Sequence, residues 1–350
     1  MSDRDHMRHA VMLASRGVGR TGRVPSVGCV LVAPDGRVIA RARTDESGRP
    51  HAEAAALAQA GAAARGATAY VTLEPCAHQG KSGGPCADAL IAAGVARVVV
   101  ACVDPDPRTD GQGIAKLRAA GIAVEMLGDA GDTLDGFLML QRYGRPHVTL
   151  KIAQSLDGKT ATASGDSKWI TGPEARRFGH LLRARSDAIL AGVNTVLADD
   201  PELTVRLAGL ERTSPIRVVL DTHLRTPPNA KLAPALIFTC ADGTVPGCEV
   251  VKVAPDARGR PGVAAVLADL GRRGIARLLV EGGARVHAAF LDAGLADALE
   301  VFTAPITLGS AGHSAIGALA AQTLGDAPRF TRTQRRNFGP DVLESYARTS

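Results

Sequence analysis

Two short segments in the first half of the chain carry side chains that bind metals and move protons. Pro50-His51-Ala52-Glu53 supplies an imidazole and a carboxylate, and Cys76 and Cys86 each follow a proline. One imidazole and two thiolates leave the fourth position of a tetrahedral Zn²⁺ open for water, whose pKa the metal lowers towards about 7. A carboxylate one residue beyond a ligand can take the proton of that water and pass it on. We therefore predict a zinc site that attacks an amidine carbon with loss of ammonia.

These side chains share one site only if particular elements position them. Residues i and i+2 of a helix point about 200° apart, so His51 and Glu53 converge only where the chain enters a helix, and Pro50 places a helix start there. Cys86 also opens a predicted helix, whose N-terminal partial charge favours thiolate over thiol. Taken one at a time, these residues would be interpreted as a surface histidine and buried thiols. Taken together, they match the signature of zinc deaminases. A fourth ligand would close the site to water, so we expect His78 to face the substrate instead.

Composition narrows the classes of protein that the chain can belong to. Its 350 residues suit two domains, and 45% hydrophobic with 22% charged residues is typical of globular proteins. No apolar run approaches the roughly 20 residues of a membrane span, and the N-terminus lacks a signal core, so we expect a cytoplasmic protein with reduced thiols. Its net charge of +6 accompanies scattered arginines and only 3% aromatic residues, which argues against a nucleic-acid partner. The cysteines expected to be plain core or surface thiols are Cys29, Cys102, Cys240 and Cys248.

Helix and strand patterns alternate through the first half and start afresh in the second. The first half contains an opening helix and a hairpin of Val27–Ala33 and Arg37–Ala42. Helices and strands then alternate: helix His51–Ala64, strand Thr68–Leu73, helix Cys86–Ala93, strand Val95–Val103, helix Gly111–Ala120 and strand Ile122–Met126. Such alternation predicts a largely parallel sheet between helices. Tyr143-Gly144-Arg145-Pro146 follows a further helix and predicts a joint between domains 1–145 and 146–350.

The second half contains a glycine turn between a strand and a helix. Strand Ala276–Glu281 leads through Gly282-Gly283 into a helix from Ala284, where backbone N–H groups could approach a phosphate. Alone, this pattern is more often plain connectivity, but polar loops at 155–158, 165–171 and 195–206 also bracket strands, where ligands of α/β sheets bind. Trp169 lies in such a loop, which leaves both ring stacking on a ligand and a packing role open.

The first-half motifs resemble the RibD family of bifunctional riboflavin-biosynthesis enzymes. The matching stretches are Pro50–Glu53, Ala67–His78 and Ala89–Val98. The resemblance implies a cytidine-deaminase-like α/β/α domain that deaminates 2,5-diamino-6-(5-phosphoribosylamino)pyrimidin-4-one. It also implies that Lys81 and Asp104 line the substrate pocket, with zinc on His51, Cys76 and Cys86 and Glu53 as proton shuttle.

The second half is similar to the reductase domain of that family, which implies a dihydrofolate-reductase-like α/β fold and homo-oligomers. NADPH would then reduce the ribose of 5-amino-6-(5-phosphoribosylamino)uracil at C1 to a ribityl chain. The implied cofactor contacts are Ala153, Trp169, Thr195, Asp199, Gly283, Ala284, Arg285, Val286, His287, Ala288 and Ala289. The implied substrate contacts are Ser167, Arg183, Leu203, Arg206 and Glu281, of which Arg183 and Arg206 suit a phosphate. Candidate proton donors are Lys151, Asp199 and Glu281.

Three departures from the family pattern bear on the substrate contacts of the deaminase. Val24 stands where an asparagine is usual, Thr44 stands where a histidine is common, and the loop between Cys76 and Cys86 is one residue longer. None removes a zinc ligand. Two alternatives stay open on the sequence alone: a single-activity member with a weakened deaminase domain, and a nucleoside or tRNA deaminase.

Overall fold

The computed structural model describes residues 1–78 and 84–349, and the chain divides into the compact units Met1–Gly144 and Arg145–Ser350. Within residues 1–78 and 84–349, no helix combines the length and the apolar character needed to cross a bilayer. The elements of the first unit are α1 (Asp3–Ser15), β1 (Gly28–Val32), β2 (Val38–Arg43), α2 (Ala52–Ala60), β3 (Thr68–Val71), α3 (Cys86–Ala93), β4 (Arg97–Val100), α4 (Gln112–Ala119), β5 (Ala123–Met126) and α5 (Asp135–Tyr143).

The sheet of the first unit has the strand order β2-β1-β3-β4-β5. The predicted hairpin is confirmed, because β1 pairs with β2 in antiparallel register, while β3, β4 and β5 run parallel. The helix predicted to reach Ala64 ends at Ala60 and continues as a 3₁₀ turn over Gly61–Ala64. Parallel strands release the chain at one edge of a sheet, so the segments after β3 and β4 meet there.

A buried carboxylate fixes the segment that follows β3. Glu74 accepts hydrogen bonds from the backbone N–H groups of Asp104, Gly111 and Ile114 at 3.2, 3.0 and 3.1 Å. These bonds join the β3 exit to the loop after β4 and to the first turn of α4, whose unpaired N–H groups favour an anion. The position of Cys76, two residues after Glu74, is therefore set by hydrogen bonds between the buried Glu74 carboxylate and backbone N–H groups.

The second unit is a larger α/β sheet that ends in an antiparallel hairpin. Its elements are β6 (His147–Ser155), β7 (Lys159–Ala161), α6 (Pro173–Ala184), β8 (Ala188–Gly192), α7 (Val193–Asp199), β9 (Ile216–Leu220), β10 (Leu236–Thr239), β11 (Glu249–Lys252), α8 (Val263–Arg272), β12 (Arg277–Val280), α9 (Ala284–Asp292), β13 (Ala298–Ala304), β14 (His313–Ser314), β15 (Phe330–Phe338) and β16 (Asp341–Arg348).

The main sheet of this unit has the order β11-β10-β9-β8-β12-β6-β13-β16-β15. Its strands run parallel from β11 to β13, after which β16 and β15 form an antiparallel hairpin. The loop expected from Thr195 onwards is partly wrong, because α7 covers Val193–Asp199. This helix has only seven residues, of which Val193 and Val196 are buried, and such a pattern is too short to distinguish from a loop.

We predict that Gly113→Ala displaces the zinc donor Cys76, because the new Cβ would clash with the backbone directly before it. A Cβ at Gly113 would lie 2.0 Å from the carbonyl oxygen of Pro75, directly before Cys76. Such overpacking costs about 1–3 kcal/mol of unfolding free energy and should also weaken zinc binding. Urea unfolding and the zinc content of the purified chain measure both effects.

Gly325→Ala is the matched control, because a Cβ there would meet only Thr323 Oγ1, at an ordinary contact distance of 3.5 Å. An unchanged zinc content in Gly113→Ala would contradict the role given to this contact.

Candidate functional site

The predicted zinc donors come from three different segments of the first unit. His51 is the N-cap of α2, so the helix starts where Pro50 predicted. Cys86 is the first residue of α3, and Cys76 lies in the segment after β3. The backbone N–H of Cys86 donates to Cys76 Sγ at 3.3 Å, which ties the α3 N-terminus to that segment.

The donor atoms fit a tetrahedral zinc ion. His51 Nδ1 lies 3.7 Å from Cys76 Sγ and 3.4 Å from Cys86 Sγ, and the ligand atoms of these residues all lie within 4.8 Å of one another. Tetrahedral bonds of about 2.3 Å to sulfur and about 2.0 Å to nitrogen separate such atoms by roughly 3.6 Å. His51, Cys76 and Cys86 would hold the ion and leave its fourth position open.

Glu53 lies in the first turn of α2 and is 3% exposed. Burial raises the pKa of its carboxyl to about 7, so that near neutral pH it can both accept and release a proton. The hydrogen bond from Cys86 is the largest cause that lowers the pKa of Cys76, to about 4. A carboxyl that shuttles protons and a thiol that ionises therefore stand at the same site.

A cavity of about 420 Å³ opens over these residues, and His78 and Asp104 line it as predicted. His78 Nδ1 lies 3.2 Å from Thr109 Oγ1, and His78 does not belong to the cluster of potential metal ligands found among the described residues. Burial raises the pKa of Asp104 to about 6. Lys81, the other residue predicted here, lies outside the described residues.

A second cavity, of about 840 Å³, lies at the carboxyl ends of the parallel strands of the second unit. Most of the predicted reductase residues line it, namely Lys151, Ala153, Ser167, Trp169, Arg183, Thr195, Asp199, Arg206, Glu281, Gly283, Ala284 and His287. Trp169 is 67% exposed and stacks under the Arg176 guanidinium at 4.5 Å from its ring centroid. Its face is therefore partly covered by a cation from α6.

Other predicted contacts do not line this cavity. Leu203 is buried and packs in an apolar cluster with Ile189, Ala191 and Leu279. Within the helix that starts at Ala284, residues three or four apart share a face, and Ala284 and His287 are the two that line the cavity. The run predicted as continuous is therefore interrupted at Arg285, Val286, Ala288 and Ala289.

A buried ion pair between Arg183 and Glu281 lines the second cavity. Arg183 donates from Nε and Nη2 to the two oxygens of Glu281, each at 2.8 Å, and from Nη1 to the carbonyl oxygen of Thr204 at 2.9 Å. Lys151 Nζ lies 3.9 Å from Glu281 Oε2. Because each guanidinium nitrogen of Arg183 already donates within the chain, Arg206 is the better placed of the two arginines predicted for phosphate.

The turn between β12 and α9 fits a dinucleotide cofactor. A Cβ at Gly282 would lie 2.8 Å from Ala191 Cα, and Gly283 has a φ of +74°, so both positions favour glycine. His287 donates from Nδ1 to the carbonyl oxygen of Ala315 at 3.0 Å, while its buried Nε2 has no hydrogen-bond partner among the described residues. Burial lowers the pKa of His287, so this nitrogen is an acceptor. A helix N-terminus and a free acceptor thus line one wall.

Sequence reasoning missed several polar residues of this cavity, among them Asn194, His180 and Arg176. Asn194 accepts from Arg225 Nη2 at 2.9 Å, and His180 Nδ1 accepts from the backbone N–H of Arg206 at 3.2 Å. Arg176 is the cation over Trp169. The only signal for His180 and Arg176 was their spacing with Arg183 along α6, a pattern that a solvated helix face also produces.

Two protein families match the chain, one for each half. Residues 1–102 match the cytidine and deoxycytidylate deaminase zinc-binding region, and residues 146–343 match the RibD C-terminal domain. The riboflavin biosynthesis protein RibD of Escherichia coli is 42% identical over 362 residues, which cover 98% of each chain. The chain belongs to the RibD family. Its architecture is therefore a cytidine-deaminase-like domain followed by a dihydrofolate-reductase-like domain, as predicted.

Solved structures of the RibD family share this architecture over nearly the whole chain. Acinetobacter baumannii RibD is 38% identical with a TM-score of 0.87, and the match covers 99% of both chains. A Thermotoga maritima diaminohydroxyphosphoribosylaminopyrimidine deaminase/5-amino-6-(5-phosphoribosylamino)uracil reductase is 35% identical with a TM-score of 0.88, again over 99% of both chains. Zinc and NADPH are the cofactors of the two domains, and neither of the alternatives left open by the sequence is favoured.

We predict that Glu281 makes the second unit sensitive to acid. Burial opposes its ionisation, but the charges of Arg183 and then Lys151 prevail and lower its pKa to about 2. The ion pair therefore adds stability above the ordinary pKa of about 4.3 and loses it as the pH falls towards about 2. Glu281→Gln should cost roughly 3–5 kcal/mol at pH 7 and flatten this acid dependence. Urea unfolding at pH 7 and pH 3 measures it.

Glu344→Gln is the control, because its ion pair with Arg332 is more exposed and worth about 1 kcal/mol or less. Parallel loss of stability with acid in the wild type and Glu281→Gln would show that this carboxylate is not the sensitive group.

Proposed function

We propose that the first unit deaminates 2,5-diamino-6-(5-phosphoribosylamino)pyrimidin-4-one and that the second reduces the ribose of the product with NADPH. The observation that carries this proposal is the convergence of His51, Cys76, Cys86 and Glu53 in a chain that also holds the second cavity. The name of the Thermotoga relative describes the same pair of activities, deaminase before reductase.

Glu53 moves the proton of the first reaction. When bound, zinc activates a water molecule for attack on the amidine carbon of the substrate. Glu53 takes a proton from this water and delivers it to the departing ammonia, as its position in the first turn of α2 and its raised pKa allow. His78 and Asp104 line the same cavity and would orient the pyrimidine ring.

Lys151 is the best candidate for the proton donor of the second reaction. When bound, NADPH supplies a hydride to C1 of the opened ribose. Glu281 holds no proton at neutral pH, because its pKa is lowered to about 2 by Arg183 and Lys151 despite its burial. Asp199 is exposed and pairs with Lys168 at 3.8 Å. Lys151 lines the cavity, and its Nζ lies 3.9 Å from Glu281 Oε2, which orients it.

We also propose that the chain forms homo-oligomers in the cytoplasm and binds neither nucleic acid nor membrane. β15 lies at the edge of the main sheet with most of its residues exposed, and such an edge can pair with a second copy. A zinc site built on thiolates also requires reduced cysteines, which a reducing compartment maintains.

Glu53→Gln should abolish ammonia release while leaving the reductase intact. The amide keeps the shape of the carboxylate but cannot shuttle a proton, so a loss of at least about 10²-fold in kcat is expected. NADPH oxidation on already deaminated substrate should be unchanged, and one zinc per chain should remain. Loss of both activities in a folded, zinc-loaded variant would contradict the division of labour between the units.

Lys151→Gln should produce the reverse pattern. Without the proton donor, NADPH oxidation should fall about 10²-fold or more, whereas ammonia release from the diaminopyrimidine should stay at the wild-type rate. Steady-state assays of both products measure this difference, with Lys252→Gln, an exposed lysine paired with Asp242, as the control. Undiminished NADPH oxidation in Lys151→Gln would transfer the role to another group.

A further inference from the structure

Two arginines that line the first cavity have guanidinium groups with no partner among the described residues. Arg23 and Arg49 both line the cavity over the zinc donors, and neither guanidinium makes a hydrogen bond or ion pair with any described residue. Their chain segments are in contact, since a Cβ at Gly48 would lie 2.9 Å from Val24 Cγ2. Two adjacent segments therefore present a cation each to one cavity.

Three other arginines near this cavity, Arg20, Arg43 and Arg108, are already paired. Arg20 and Arg43 both donate to Glu46, at 3.1 and 3.0 Å. Arg108, which also lines the cavity, donates from Nε to both oxygens of Asp106 at 2.9 and 3.1 Å. Glu46 and Asp106 are thus neutralised by other cations, and Arg23 and Arg49 are left for a ligand.

The other polar groups on this wall are also engaged. Thr44 Oγ1 donates to the carbonyl oxygen of Pro25 at 3.1 Å and accepts from the N–H of Val27 at 3.0 Å. Ser47 Oγ lies 2.7 Å from both Asp45 Oδ1 and the carbonyl oxygen of Arg49. Recognition from this side of the cavity therefore falls to the two guanidinium groups.

We propose that Arg23 and Arg49 bind the phosphomonoester of the deaminase substrate and so select a ribotide over the corresponding riboside. Two forked cations match the charge and oxygen geometry of a phosphate dianion. The two thiols of the zinc site and Glu53 are buried, whereas Arg23 is exposed and Arg49 half-exposed, so the reacting ring sits deep and the phosphate near the mouth. This inference rests on the proposed function and assigns the group that anchors its substrate.

The kinetic test compares the ribotide with its dephosphorylated riboside. Arg23→Gln and Arg49→Gln should each raise KM for the ribotide about tenfold, with kcat within about twofold, as expected for loss of one charged hydrogen-bonding group. Values for the riboside should not change. Arg→Lys variants should recover part of the loss, and Arg41→Gln, an exposed arginine of β2 outside the cavity, should behave as wild type.

A binding measurement separates this inference from the proposed function. Ribose 5-phosphate is titrated calorimetrically into the zinc-loaded full chain carrying Arg206→Gln, which weakens the phosphate contact expected in the second unit. Adding Arg23→Gln and Arg49→Gln should weaken the remaining binding at least about tenfold. Unchanged binding, or equal losses on ribotide and riboside, would overturn the inference. If the wild type released ammonia from neither substrate, the proposed function would fail, and the titration would still decide the phosphate site.

Discussion

Both sites depend on one constraint of parallel sheets, namely that the chain leaves every strand at the same edge. In the first unit this constraint brings the segment after β3 next to the N-termini of α2 and α3, where the zinc donors meet within 4.8 Å. In the second unit it gathers the ends of β6, β8 and β12 around one cavity. Helix N-termini at these edges favour thiolates in one case and the phosphates of a dinucleotide in the other.

Two buried glutamates, Glu53 and Glu281, have different pKa values and roles because different charges surround them. Among the described residues no arginine or lysine pairs with Glu53, so burial raises its pKa to about 7 and makes it a proton carrier. Glu281 is equally enclosed, but Arg183 and Lys151 hold its pKa at about 2, so it stays charged. One carboxylate is thereby suited to acid–base chemistry, and the other to orienting a lysine.

Local signals were sufficient to predict the zinc donors and most of the elements. Pro50 marks the start of α2 and Pro85 that of α3, so the helix starts that orient His51 and Cys86 can be read from neighbouring residues. The pairing of Arg183 with Glu281 spans 98 residues and leaves no local trace, so it could not be predicted from the sequence. The absence of Arg285 and Val286 from the cavity lining, by contrast, follows from helical periodicity and could have been predicted.

The most direct test of two successive reactions at two separate sites is a time course on the wild-type, zinc-loaded chain. The diaminopyrimidine ribotide and NADPH are supplied together, and ammonia and the absorbance of NADPH are followed in the same sample. The two-site mechanism predicts equal final amounts of ammonia released and NADPH oxidised, with ammonia appearing first. NADPH oxidation that precedes or exceeds ammonia release would contradict it.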